Sequence, residues 1–92
     1  MSSEWQVYIL LASDQSLYTG ITTDMCRRWH QHKTRKGAKF FYGLYPTALC
    51  YLEGGHNRSS ATKREVAIKQ MKRKKKWQLI IENYGPHQIP SK

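Results

Sequence analysis

Apolar and polar positions alternate with period two near the start of the chain. Trp5, Val7, Ile9 and Leu11 fall on one face, and Gln6, Tyr8 and Leu10 on the other, which predicts a strand over residues 5–11. Ala12-Ser13-Asp14-Gln15-Ser16 is a cluster of turn formers. Alternation then resumes over residues 17–22, with Leu17, Thr19 and Ile21 opposed to Tyr18, Gly20 and Thr22. A connection this short predicts an antiparallel hairpin.

The period then becomes helical. Asp24 suits an N-cap, and a helix is expected to run to about Lys33. Met25, Arg28, Trp29 and His32 share one sector of it, Met25 and Trp29 as the apolar part and Arg28 and His32 as its edge. Residues 33–45 carry four basic residues, two glycines and several aromatics, and read as a basic loop. Pro46 suits the start of a third strand over residues 47–53, followed by a turn at Gly54-Gly55-His56-Asn57. Ser59 or Ser60 would cap a second helix with Ala61, Ile68 and Met71 inward and Glu65 at the edge of that stripe. Trp77, Ile80, Ile81 and Tyr84 also have helical spacing, but nearly opposite in phase. A break within residues 72–76 is therefore expected, giving two helices, and Gly85-Pro86 ends the second. The predicted order is β-β-α-β-α-α: an α+β domain with a small, mainly antiparallel three-stranded sheet flanked by helices. The domain is expected to occupy residues 1–85, with 86–92 a flexible tail.

Charge narrows the function. Ninety-two residues argue for one modest core. Sixteen Lys and Arg against six Asp and Glu give +10. Such an excess destabilises a compact chain by self-repulsion and usually serves an anionic partner, either nucleic acid or a membrane surface. No apolar run approaches a membrane span, and the opening residues lack the pattern of a secretory signal, so a cytoplasmic protein that binds nucleic acid is expected. Cys26 and Cys50 form no CxxC pair and read as free thiols. His30 and His32, two apart, point to different helix faces, so no zinc site is expected.

Five reactive side chains stand where a site-facing orientation is expected. Tyr8 and Tyr18 are each out of phase with the aliphatic face of their own strands, so both phenols can lie on one side of the hairpin. Gly20 is on that side too and would admit a ligand close to the backbone. Arg28 and His32 are one turn apart. Glu65 borders an apolar stripe, where a carboxylate is costly unless something binds it. Each also has a plain reading. The tyrosines could be packing residues, Arg28 a solvated charge, His32 a cover for Met25 and Trp29, and Glu65 the surface partner of Lys69.

Taken in order, these residues resemble the GIY-YIG nuclease family. Gln6-Val7-Tyr8 stands where the family has its first tripeptide, and Tyr18-Thr19-Gly20 looks like the second, ten residues from tyrosine to tyrosine. Arg28-Trp29-His30-Gln31-His32 is similar to the family's Arg-x-x-x-His. Lys63-Arg64-Glu65 followed by Ile68-Lys69 is similar to its glutamate helix. The resemblance covers roughly residues 5–81 and is greatest to the short, stand-alone bacterial members. Gln6 and Val7 depart from the first tripeptide, which keeps only its tyrosine. Asn83 is the only counterpart for the asparagine that some members carry near the end of the domain.

The resemblance implies a metal-dependent endonuclease that hydrolyses phosphodiester bonds. Glu65 would hold one Mg²⁺ or Mn²⁺, and Arg28 would counter phosphoryl charge. Tyr18, or else Tyr8, would take a proton from the attacking water, and His32 would position the water or share the proton. Lys36, Lys39 and the run Lys72, Arg73, Lys74, Lys75 and Lys76 would bind backbone phosphates. Phe40, Phe41 and Tyr42 would stack on unpaired bases or pack under their loop. DNA is expected over RNA, with a preference for shape over base sequence, because no separate recognition domain fits in the chain. A non-catalytic nucleic-acid-binding module on the same fold is the alternative, and a ribosome-associated RNA-bound protein is another. Glu65 discriminates against a pure binder, which gains nothing from a carboxylate facing the phosphate path.

Overall fold

The computed structural model describes residues 4–34 and 43–83. The elements are β1 (Trp5–Ala12), β2 (Leu17–Thr22), α1 (Met25–Lys33), β3 (Pro46–His56), α2 (Arg58–Lys69) and α3 (Arg73–Glu82). This is the predicted β-β-α-β-α-α order. Lys36, Lys39, Phe40, Phe41, Tyr42, Tyr84 and the tail 86–92 lie outside the described residues.

The sheet order is β2-β1-β3, antiparallel on both sides of β1. The β1–β2 connection is closed by hydrogen bonds from Ala12 N to Ser16 O and from Gln15 N to Ala12 O, both 2.9 Å. Asp14 Oδ1 accepts from Ser16 N at 3.0 Å. Gln15 adopts φ 77°, a left-handed conformation that side chains other than glycine tolerate poorly.

The helices cover both faces of β1. On one face Val7 and Ile9 are buried with Tyr51, Ala61, Ile68 and Ile80, under α2 and α3. On the other, Tyr8, Leu10 and Ala12 are buried with Tyr18, Met25, Trp29, Leu49 and Leu52, under α1. A two-sided central strand explains why β1 carries large side chains in both phases. Each such side chain stabilises the fold by about 1.5–3 kcal/mol when fully buried.

Several boundaries differ from the pattern-based reading. β3 runs on to His56, through the expected turn, because Trp5 pairs with His56 across a register shift. Gly55 takes φ 79° there, and its N–H donates to Glu4 Oε2 at 3.2 Å. A second shift lies between Ile9↔Tyr51 and Leu10↔Leu49. It puts Cys50 and Tyr51 on the Val7 face and Leu49 and Leu52 on the Tyr8 face. The α2 cap is Asn57, not Ser59 or Ser60. Asn57 Oδ1 accepts from Ser60 N at 2.8 Å, and Ser60 Oγ accepts from Asn57 N at 3.1 Å, a reciprocal capping box. The helix break falls at residues 70–72, so Arg73 to Lys76 form the first turn of α3 rather than the junction. Ile81, expected inward, is 68% exposed, while Ile80 is buried.

Candidate active site

Pairing in the hairpin sets the first contacts. Tyr8 lies opposite Gly20, and Tyr18 opposite Leu10, so the two phenols are diagonal neighbours on one face, ring centroids 6.2 Å apart. A Cβ at Gly20 would lie 2.5 Å from Tyr8 Oη and 2.7 Å from its Cζ. Any larger residue there would displace the Tyr8 ring. The space above Gly20 thus belongs to the Tyr8 phenol, and does not open the backbone to a ligand.

The α1 helix lays its charged and imidazole groups on this pair. Asp24 caps it, Oδ1 accepting from Arg27 N at 3.1 Å. Two turns later His32 is fully buried, with Nε2 2.9 Å from Tyr8 Oη. Its ring meets Tyr18 nearly edge-on at 5.3 Å. Arg28 Nε donates to Tyr8 Oη at a long 3.4 Å, and Nη1 donates to Gln31 Oε1 at 2.9 Å. The guanidinium also interacts with Tyr18. Tyr8, Tyr18, Arg28 and His32 therefore form one contiguous cluster.

Burial governs its protonation. It pushes the Tyr8 phenol up to about 12, outweighing the opposite pull of Arg28. It pushes His32 down to about 4, and the Arg28 charge adds to the effect. At neutral pH the phenol therefore keeps its proton and the imidazole is uncharged. Tyr8 Oη shares a hydrogen bond with His32 Nε2 and accepts N–H from Arg28.

Glu65 comes from α2 with its side chain 19% exposed; its Oε2 is 3.2 Å from Nζ of Lys69. Its charge contributes to raising the Tyr8 pKa, which puts the carboxylate in the electrostatic field of the cluster. Among the described residues no group of three or more His, Cys, Asp or Glu is arranged to hold a metal. One half-buried carboxylate with an exposed, displaceable lysine partner instead fits a hard divalent ion that takes most of its ligands from water and substrate oxygens.

The preceding residue, Arg64, turns the other way. Its Nε lies 3.2 Å from Glu53 Oε1. Tyr51 Oη donates to the same oxygen at 2.5 Å. His56 Nε2 meets Glu53 Oε2 at 2.5 Å, and its Nδ1 meets Ser60 Oγ at 2.8 Å. This network ties the end of β3 to the first two turns of α2 and so fixes the helix rotation that presents Glu65. Pattern reading missed it, because a β-bulge separates Glu53 from His56. It also missed Gln31, although a spacing of three from Arg28 on a helix is a usable signal.

The basic run is not joined to the cluster. Its helix, α3, packs on the Val7 face, across the sheet from Tyr8. Lys72, Arg73, Lys74 and Lys75 are exposed and Lys76 is half-buried. The Arg73 charge helps lower the Asp14 pKa, so the run lies toward the β1–β2 turn. Asn83 is the C-cap of α3, and its Nδ2 donates to Leu79 O at 2.9 Å.

Comparison with known proteins places the fold in a family. Residues 4–78 match the GIY-YIG catalytic domain family. The chain is 41% identical over 78 residues to the UPF0213 protein YhbQ of Salmonella typhimurium, covering 85% of this chain and 78% of that protein. It is 38% identical over 81 residues to a UPF0213 protein of Citrobacter koseri, covering 88% and 81%. These names state no activity. The solution NMR structure of the UPF0213 protein BH0048 from Bacillus halodurans is similar at a TM-score of 0.59 and 38% identity, covering 92% of this chain and 90% of that one. Among the described residues no helix is long and apolar enough to cross a membrane. Both the match over most of the chain and the tyrosine–arginine–histidine cluster lead to one conclusion: the chain belongs to the GIY-YIG nuclease family.

Proposed function

We propose that this protein is a metal-dependent endonuclease that hydrolyses phosphodiester bonds in nucleic acid, DNA in preference to RNA, selecting substrates by shape. The observation that carries the reading is the convergence of Tyr8, His32 and Arg28 through contacts of 2.9 and 3.4 Å, with Glu65 acting on the same phenol.

A phosphodiester resists attack because its own charge repels nucleophiles, so a catalyst must stabilise that charge and remove a proton from water. Arg28 offers a planar guanidinium whose Nε and Nη1 are held by neutral acceptors, which leaves its positive charge uncompensated for the phosphoryl oxygens. Glu65 would hold the divalent ion, Mg²⁺ or Mn²⁺, which supplies Lewis acidity at the leaving oxygen when bound. Tyr8, buried and protonated, acts as the fixed post that orients Arg28 and His32. Tyr18, half-buried and in touch with Arg28, would take the proton from water. His32 holds the two rings in place through its hydrogen bond to Tyr8 and its edge contact with Tyr18. Lys36 and Lys39 would contact flanking phosphates, and the run from Lys72 to Lys76, across the sheet from Tyr8, would contact more distant ones.

The test is cleavage of supercoiled, linear, branched and single-stranded DNA and RNA, with and without Mg²⁺ or Mn²⁺. Metal-dependent cutting that is lost in Glu65→Gln, with the circular dichroism spectrum unchanged, is expected. Cutting by Glu65→Gln at the parental rate would exclude the metal role. Salt-sensitive binding with no cutting under any condition would instead support a non-catalytic binding module.

A further inference from the structure

We propose that the cleft on the outer side of Arg28 is a nucleoside subsite, which receives the base next to the scissile phosphate by stacking on Trp5. The proposal rests on the nuclease reading above and assigns a part of the molecule that reading leaves unused.

The cleft has a volume of about 220 Å³, with Trp5, Thr23, Arg27, Arg28 and Gln31 in its wall. Arg28 belongs to both the cleft and the Tyr8 cluster. A phosphate held on its guanidinium therefore has one attached nucleoside next to Trp5. The indole is well supported as a platform. It packs against the buried Val7–Ile68 cluster, and the Arg58 guanidinium lies 5.6 Å from its ring centroid. A half-buried aromatic ring at the edge of a polar, cationic cleft suits a base, which has a flat π-face and a polar edge.

Gln31 sets which edge groups are favoured. Its Oε1 is engaged by Arg28 Nη1 at 2.9 Å, so the amide cannot flip without losing that bond. Only its N–H donors remain, and they have no hydrogen-bond partner among the described residues. Donors select acceptors, and every nucleobase carries acceptors on its edges. The Asp24 carboxylate in the same wall is turned to the helix cap. The subsite thus favours the presence of a base over its identity. Arg27, exposed on the rim, is placed to meet the next phosphate.

The test uses one substrate with a mapped cut, in three forms: intact, with a single abasic nucleotide 5′ to the cut, and with one 3′ to it. One of the abasic forms should raise KM about tenfold, the effect of one lost base–aromatic stack, with little change in kcat. Trp5→Leu should raise KM to a similar degree on the intact substrate, yet have no further effect on that abasic form. Trp5→Phe should restore most of the affinity. Because Trp5→Leu also removes a core contact, the three oligonucleotides are in addition titrated by fluorescence anisotropy against the parent and Trp5→Phe, in chelator, where no cleavage is needed. Equal parental affinity for all three forms would overturn the subsite alone, as would a Trp5→Leu loss that is the same on every form. No binding of any oligonucleotide would overturn the nuclease reading, and the subsite with it.

Discussion

Tyr8 Oη and His32 Nε2 meet at 2.9 Å although twenty-four positions separate them in the chain. The contact joins the central strand to the last turn of α1, where burial holds the phenol protonated and the imidazole neutral. His32 takes up a proton near pH 6.5 when unfolded, but only near pH 4 when folded. Between those values the unfolded chain binds more protons, so stability falls as pH falls. For a fully buried group the loss from pH 7 to pH 4 approaches about 3 kcal/mol. Urea midpoints measured across that window should decline, and His32→Gln should flatten the decline. An equal slope in parent and variant would mean that other groups drive acid unfolding.

The two tyrosines should respond differently to loss of the hydroxyl. Tyr8→Phe leaves a buried imidazole nitrogen without its hydrogen-bond partner, and should destabilise the fold by about 1–3 kcal/mol. Tyr18→Phe should leave thermal stability near the parent's and reduce turnover by about 10²-fold or more. Thermal melts and single-turnover cleavage on both variants separate these effects. Normal turnover in Tyr18→Phe would transfer the base role to Tyr8.

Arg28 is fixed at two of its nitrogens, one by Tyr8 and one by Gln31. Lysine at that position keeps the charge but cannot make both bonds while presenting a fork to phosphate. Arg28→Lys is expected to lower kcat far more than it weakens binding. Comparable losses in kcat and in affinity would show that Arg28 merely docks the backbone.

Substrate choice should follow shape. The helix that carries the cluster, α1, has His32 buried and Arg28 committed to Tyr8 and Gln31, so it does not present a row of side chains to a groove. The remaining basic residues would contact phosphates, which position without specifying. Binding should weaken steeply with salt, and cuts on unrelated duplexes should cluster at branches and unpaired junctions. One base sequence recurring at every cut, whatever the structure, would refute this.

Much of the fold was legible because its signals are local. Alternation in β1 and β2, the Asp24 cap and the phase reversal before Trp77 all act over a few residues; the structure has both strands, the cap and two separate helices, with the break at residues 70–72. What eluded the sequence depends on cross-strand registry. The shift at Cys50 is invisible in a one-dimensional pattern, yet it decides which face Tyr51 and Leu49 share. The phase of Tyr8 and Tyr18 put both phenols on one side of the hairpin. That Gly20 is small for Tyr8, and not for a ligand, required knowing that the two residues pair. The Glu53–His56–Arg64 network joins β3 to α2 and leaves no periodic trace.

The first turn of α3 is made of Arg73, Lys74, Lys75 and Lys76, preceded by Lys72, with no acidic residue and no side-chain cap. A helix begins at its positive end, so these five cations sit where they most oppose the helix they start. The repulsion has two opposite responses to ionic strength. Added salt screens it and should firm up the free helix, while the same salt loosens any bound polyanion. A phosphate backbone laid across this turn would relieve the repulsion directly, so α3 is a segment whose own folding free energy improves when it is occupied.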